Sequence, residues 1–164
     1  MSDPDCEDSP IRLGMTALIK DKRYAVVARV VLSMREEGED YYWREFELQA
    51  PDGDWCLLEL DEGRWRLTRE LRPQLPPARA ELERCRPGSI LLIDGARCRV
   101  TLVSRFKTCA VEGTAPSGAR AGSSAPYLDA EDEEASYSVE WDGDEVECYR
   151  GEDWTDAAVA AAFR

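Results

Sequence analysis

The chain of 164 residues has no histidine, three lysines and only three phenylalanines. Without histidine it lacks the usual general base for a serine or cysteine nucleophile and the commonest metal-binding side chain. Its six cysteines, Cys6, Cys56, Cys85, Cys98, Cys109 and Cys148, include no C-x-x-C pair, so a zinc site has no support. There is no Walker-type or G-x-G-x-x-G loop. No apolar run reaches the ~18 residues a membrane helix needs, and the acidic start "MSDPDCEDS" is unlike a secretion signal. Basic charge is outnumbered, with a net of −13, which argues against nucleic-acid backbones and anionic membranes. These absences set the expectation of a cytoplasmic protein with reduced thiols, no cofactor, no metal, no nucleic-acid partner and no membrane insertion.

Apolar residues make up 43% of the chain and there are five tryptophans, enough for a packed core. Charge is segregated. Residues 129–156 hold thirteen acids against Arg150, a net of −12, while residues 64–107 carry a net of +7. Two such stretches are expected to face each other, within one molecule or across a homo-oligomer. A cationic ligand on the acidic stretch is the sharper alternative.

The pattern of short β-branched and aromatic runs between turn residues predicts an all-β fold. Residues 1–9 read as a disordered acidic tail. A hairpin follows in "TALIKDKRYAVVARVVLSM", "REEGED" reads as a charged loop, and "YYWREFELQ", "DWCLLEL" and "RWRLT" read as a meander, giving a first β unit over 10–68. Residues 69–87, with four prolines and one helical stretch in "PARAELERC", read as a connector. A second β unit spans 88–164. It has a hairpin at Asp94-Gly95, a mobile Gly/Ser-rich loop at 113–126, a strand pair around Asp142-Gly143, and a short terminal helix capped by Thr155.

An internal duplication is suggested. "GMTALIKDKRYAVVARV" lies over "GSILLIDGARCRVTLVS" at an offset of 74, matching Gly14 with Gly88, Leu18 with Leu92, Ile19 with Ile93, Arg23 with Arg97 and Val26 with Val100. At a larger offset of 95, "YWREF" lies over "YSVEW". The expected architecture is therefore two similar small antiparallel barrel-like or sheet units, with a short C-terminal helix, in one compact domain.

Several short motifs carry a resemblance: a glycine before each hairpin, Trp43-x-Glu45-Phe46-x-Leu48, Trp55-x-Leu57, Gly63-x-Trp65, Val111-Glu112-Gly113 with Pro116, Tyr127-x-Asp129 and Glu140-Trp141. Over roughly residues 10–163 the chain resembles the bacterial domain of unknown function 4178 family. Ala28 stands where a glycine is expected, and Thr114-Ala115 replaces an acidic-apolar pair. The resemblance implies a bacterial cytosolic protein and brings no catalytic residue with it.

In "YYWREFELQA", alternation puts Tyr42 with Phe46 and Leu48 in the core, and sets Tyr41, Trp43, Glu45 and Glu47 on the opposite face. That aromatic–acidic face, with Glu140 from the matching strand, is the candidate binding surface. Used on a protein partner, it makes the chain a non-enzymatic binding or scaffold module. The alternative is a small-ligand-binding or minor enzymatic domain using Glu45 and Glu140 in a cleft between the halves. Small β domains seldom build such a cleft. The runs "DAEDEE" and "DGDEVE" match no EF-hand loop and read as solvated acid.

Overall fold

The computed structural model describes residues 9–164. Apart from Ser9, which is buried, the predicted acidic tail lies outside them. Five strands, β1 (Thr16–Ile19), β2 (Lys22–Glu36), β3 (Glu39–Gln49), β4 (Trp55–Asp61) and β5 (Arg64–Leu71), lead to helix α1 (Arg79–Arg84). Five more, β6 (Ile90–Ile93), β7 (Ala96–Gly113), β8 (Ser124–Glu131), β9 (Ser136–Asp142) and β10 (Glu145–Trp154), lead to helix α2 (Asp156–Ala162). No helix among the described residues is long and apolar enough to cross a membrane.

The two halves do not form two separate units, as the sequence led us to expect. Strands β2, β3, β4, β5, β10, β9, β8 and β7 close, in that order, into a single eight-strand antiparallel barrel, with β1 and β6 as extra edge strands. The reason lies in the lengths of β2 (15 residues) and β7 (18 residues). β1 occupies only Lys22–Ala25 of β2 and β6 only Ala96–Arg99 of β7. Each long strand therefore runs on with a row of unpaired backbone groups, which a sheet edge must satisfy. Ala28–Met34 and Phe106–Gly113 satisfy each other antiparallel, and β5–β10 seals the opposite seam.

Local chemistry explains the ends of the elements. Asp94 (φ 48°) and Gly95 (φ 80°) form the tight β6–β7 turn, which needs a left-handed conformation at both positions. The charged segment at 35–40 is mostly strand, since β2 and β3 run up to a turn at Glu37–Gly38. Thr155 caps α2 as expected, its Oγ1 accepting from the Ala158 N–H at 3.0 Å. Trp65 Nε1–H donates to Asp156 at 3.0 Å and ties that helix to the barrel.

The apolar faces of the strands turn away from the barrel axis into two clusters. One gathers Ile19, Val26, Phe46, Leu48, Leu58 and Leu67 beneath β1 and α2. The other gathers Ile93, Cys98, Val100, Leu128 and Val139 beneath β6 and the α1 residue Leu82. Burying each such side chain contributes about 1.5–3 kcal/mol, so stability resides on the outside of the barrel. This arrangement frees the inner faces to be polar.

Candidate functional site

The inner faces of all eight barrel strands surround a cavity of about 280 Å³. Its apolar wall comes from Val30, Leu32, Leu57 and Phe106. Its other walls carry six carboxylates, Glu45, Glu59, Glu140, Asp142, Glu145 and Glu147. Among the described residues no lysine or arginine lines it. The acids are graded by depth: Glu45, Glu59 and Glu140 are half-buried, whereas Asp142, Glu145 and Glu147 are exposed and mark the mouth. The expectation that a small β domain lacks a deep cleft is overturned. Two outer apolar clusters, rather than one central core, leave the middle of the barrel open.

Strand alternation brings the acids together. Glu45 and Glu59 are direct cross-strand partners on β3 and β4, and Glu140 and Glu147 are partners on β9 and β10. Like charges placed directly opposite repel. Burial, followed by Glu59, Glu140 and Glu47, holds the Glu45 carboxyl well above the usual carboxylate range. Burial raises Glu59 to about 7, against the lowering pull of Arg66, whose Nη1 lies 3.7 Å from Glu59 Oε1. Burial, with Glu147, Asp129 and Glu47 adding, raises Glu140 to about 8. The Tyr149 hydroxyl donates to Glu147 Oε2 at 2.7 Å. One further group points at the space: Thr68, 7% exposed, lines the cavity and its Oγ1 has no hydrogen-bond partner. Buried hydroxyls are rarely left so, because the lost hydrogen bond costs about 1–3 kcal/mol.

The residues singled out from "YYWREFELQA" separate. Glu45 lines the cavity together with Glu140 from the other half. Glu47 is 1% exposed and does not line the space; its Oε1 and Oε2 accept from the Ser117 N–H (2.8 Å) and Oγ–H (2.7 Å). That contact draws the Gly/Ser-rich segment across the barrel, so Ser117, Gly118 and Ala119 become cavity wall. Trp43 shares the inward face but packs on Tyr127, ring centroids 6.1 Å apart. Tyr41 lies beyond the cavity, 40% exposed. Tyr42 is only half-buried and outside the apolar cluster that holds Phe46 and Leu48, because it sits near the far end of the β2–β3 hairpin, paired with Ser33.

Sequence reasoning missed Glu59, Asp142, Glu145, Glu147 and Thr68. The strand pair expected around Asp142-Gly143 is present and carries one acidic face, Glu145, Glu147 and Tyr149 alternating with Val146 and Cys148. But "DGDEVE" reads as solvated acid in the sequence, and its period does not tell that this face turns inward. Asp129, also on the inner side beside Ser138, has a carboxyl raised mainly by burial.

A family model described as domain of unknown function (DUF4178) matches residues 12–155. The chain belongs to this family. No curated protein and no solved structure matches it. Of the residues that carry the DUF4178 resemblance, Glu45 and Glu140 line the cavity, and Phe46, Leu48, Trp65 and Trp141 pack in the outer clusters. Gly113 closes the seam as the partner of Ala28. Among the described residues no group of three or more Cys, Asp and Glu side chains is arranged to hold a metal ion. Cys56, Cys98 and Cys148 are buried, their thiols raised to about 11 by burial, while Cys109 is exposed.

Proposed function

We propose that the protein is a non-enzymatic binding module whose barrel interior takes up a small organic cation. The observation that carries this reading is the cavity lined by six carboxylates and by no basic side chain. Buried carboxylates without a counter-charge are costly, and a ligand that supplies the charge recovers that cost on binding. An amine on an aliphatic stem suits the rest of the lining. Its ammonium donates to the carboxylates and to the free Thr68 Oγ1, while Val30, Leu32, Leu57 and Phe106 cover the stem. Two ion pairs join the oppositely charged stretches, Arg66–Asp153 (3.7 Å) and Arg99–Glu131 (3.0 Å). Arg66 also lies 3.7 Å from Glu59, and among the described residues no lysine or arginine lines the cavity beside the other five acids. In a thermal-shift screen at pH 7.5 and low salt, aliphatic amines should raise the melting temperature, while carboxylates, sugars and nucleotides should not. Glu140→Gln should abolish the response. Equal responses to amines and to their uncharged alcohol analogues would refute the reading.

A second reading, protein contact at a sheet edge, is favoured by Ile90 (50% exposed) and Leu92 (63% exposed) on β6. It predicts a dimer by light scattering that Leu92→Lys converts to monomer. A monomeric wild type at high concentration and low salt would end it.

The two halves also read as copies of one five-strand unit, with the cavity at their junction. Supporting this, the Gly14 N–H donates to Val26 O at 3.0 Å and the Gly88 N–H to Val100 O at 2.8 Å, positions related by the same offset of 74. The register shifts between Val26 and Ala28 and between Val100 and Leu102 share that offset. The pairing of "YWREF" with "YSVEW" is not supported, since these lie on β3 and β9, the third and fourth strands of their halves. Aligning the two halves across many family members tests the reading: identities no higher than at arbitrary offsets would reject it.

A further inference from the structure

We infer that the ligand is an α,ω-diammonium with about four methylenes between its nitrogens, one nitrogen held at Glu45 and Glu140 inside the barrel and the other at Asp142 and Glu145 in the mouth. This rests on the cation-binding reading above and specifies it. The ground is the ladder of acids along the β9–β10 hairpin. Glu140 and Glu147 face each other across it, and one step toward the turn Asp142 and Glu145 do the same. All four line the one cavity. Successive same-face pairs in a strand stand about 6.6 Å apart, from a rise of ~3.3 Å per residue. Two nitrogens joined by four methylenes are about 6 Å apart in an extended chain, from ordinary C–C and C–N bond lengths. The two rungs therefore match the two ends of such a molecule.

The rungs differ in setting. The inner one sets half-buried Glu140 against exposed Glu147, and Glu140 acts directly on the carboxyl of Glu45 from β3. The outer one is exposed on both strands. A single ammonium would neutralise the inner acids and leave the mouth pair unmet, whereas a second ammonium at this spacing meets it without moving the first. The unpartnered Thr68 hydroxyl, independent of the acids, also points to a polar guest in this space.

The test is isothermal titration calorimetry of the full chain with diamines of two to eight methylenes, and with 1-aminobutane as the one-ended control. The diamine of four methylenes should bind about tenfold tighter than 1-aminobutane, the gain of one added charge-assisted contact, with affinity falling for shorter and longer members. The double change Asp142→Asn with Glu145→Gln should remove that advantage, so that the diamine and 1-aminobutane bind alike. Glu140→Gln should abolish both, with circular dichroism confirming the fold. If 1-aminobutane binds as well as the diamine, or affinity simply climbs with chain length, the two-ended ligand is wrong while cation binding stands. If neither amine binds, both readings fail.

Discussion

Replacing Glu140 with glutamine should make the protein more stable at pH 8, by about 1–3 kcal/mol, while leaving stability at pH 5 nearly unchanged. Glu140 titrates at about 8 in the folded chain because burial, Glu147 and Asp129 oppose its charge, against about 4.3 for an unperturbed glutamate. A carboxyl raised in the folded state binds its proton more tightly there than in the unfolded chain. Its stabilising share is therefore complete below about pH 4.3 and is lost as pH rises toward 8. The full shift corresponds to more than 4 kcal/mol at ~1.36 kcal/mol per pH unit, but the half-buried side chain opens onto the cavity and solvent screens it, hence the smaller figure. Thermal unfolding should show the wild type melting lower at pH 8 than at pH 5. The variant should regain about 2–12 °C at pH 8, at the usual ~2–4 °C per kcal/mol for a chain of this size.

Glu133→Gln on the exposed 132–134 turn is the control for general charge relief, and it should do little. Loss of stability at both pH values in Glu140→Gln would mean that Glu140 is a structural partner rather than an uncompensated acid. The same variant is expected to lose amine binding. Higher stability with lost binding is the signature of a site that holds like charges together for a ligand, because structural ion pairs lose stability when one partner is neutralised.

The fold class, both hairpins, α1 and the α2 cap are legible in the sequence because each depends on neighbours within a few residues. Asp94-Gly95 dictates its turn, and Thr155 its helix start. The closure of one barrel is not legible, since it depends on Ala28–Met34 meeting Phe106–Gly113 across more than 70 positions. What betrays it in retrospect is length: β2 and β7 continue far past the strands that pair with their beginnings. The site is half legible. Glu45, Glu47 and Glu140 were singled out for their face and spacing, and all three turn toward the barrel interior, although Glu47 is spent on Ser117. Glu59, Glu145 and Glu147 escaped notice because acid in a solvated strand face and acid in a barrel interior have the same period. Only closure of the sheet distinguishes them, by placing the polar faces inside and the apolar faces against β1, β6 and the helices.

That closure depends on a glycine at the β2–β7 seam, and Gly113→Ala should show it with a loss of about 3–5 kcal/mol, at the upper end of what single substitutions cost. Gly113 has φ +78°, and a Cβ there would stand 2.1 Å from Val27 O and 2.8 Å from Leu13 Cδ2. The left-handed conformation alone costs a residue with a Cβ about 1–2 kcal/mol. The carbonyl contact adds the larger part, because Val27 O belongs to the backbone of the bulge between Val26 and Ala28 and cannot swing aside like a side chain. Val27 O also accepts the Thr114 N–H at 3.1 Å, so pushing it away breaks the bond that starts the loop carrying Ser117. The change therefore strikes the β2–β7 seam and the cavity wall together.

Urea unfolding should show a much lower midpoint, and amine binding should weaken as well. Gly143→Ala is the matched control: it too is left-handed, at φ +58°, but its Cβ would meet nothing within 4 Å. It should cost only the conformational part, about 1–2 kcal/mol. Equal losses in the two variants would mean that the seam tolerates a displaced Val27 carbonyl and that the barrel is not held shut at this point. A larger loss at Gly113 assigns the excess to closure itself, the step that turns two meanders into one cavity.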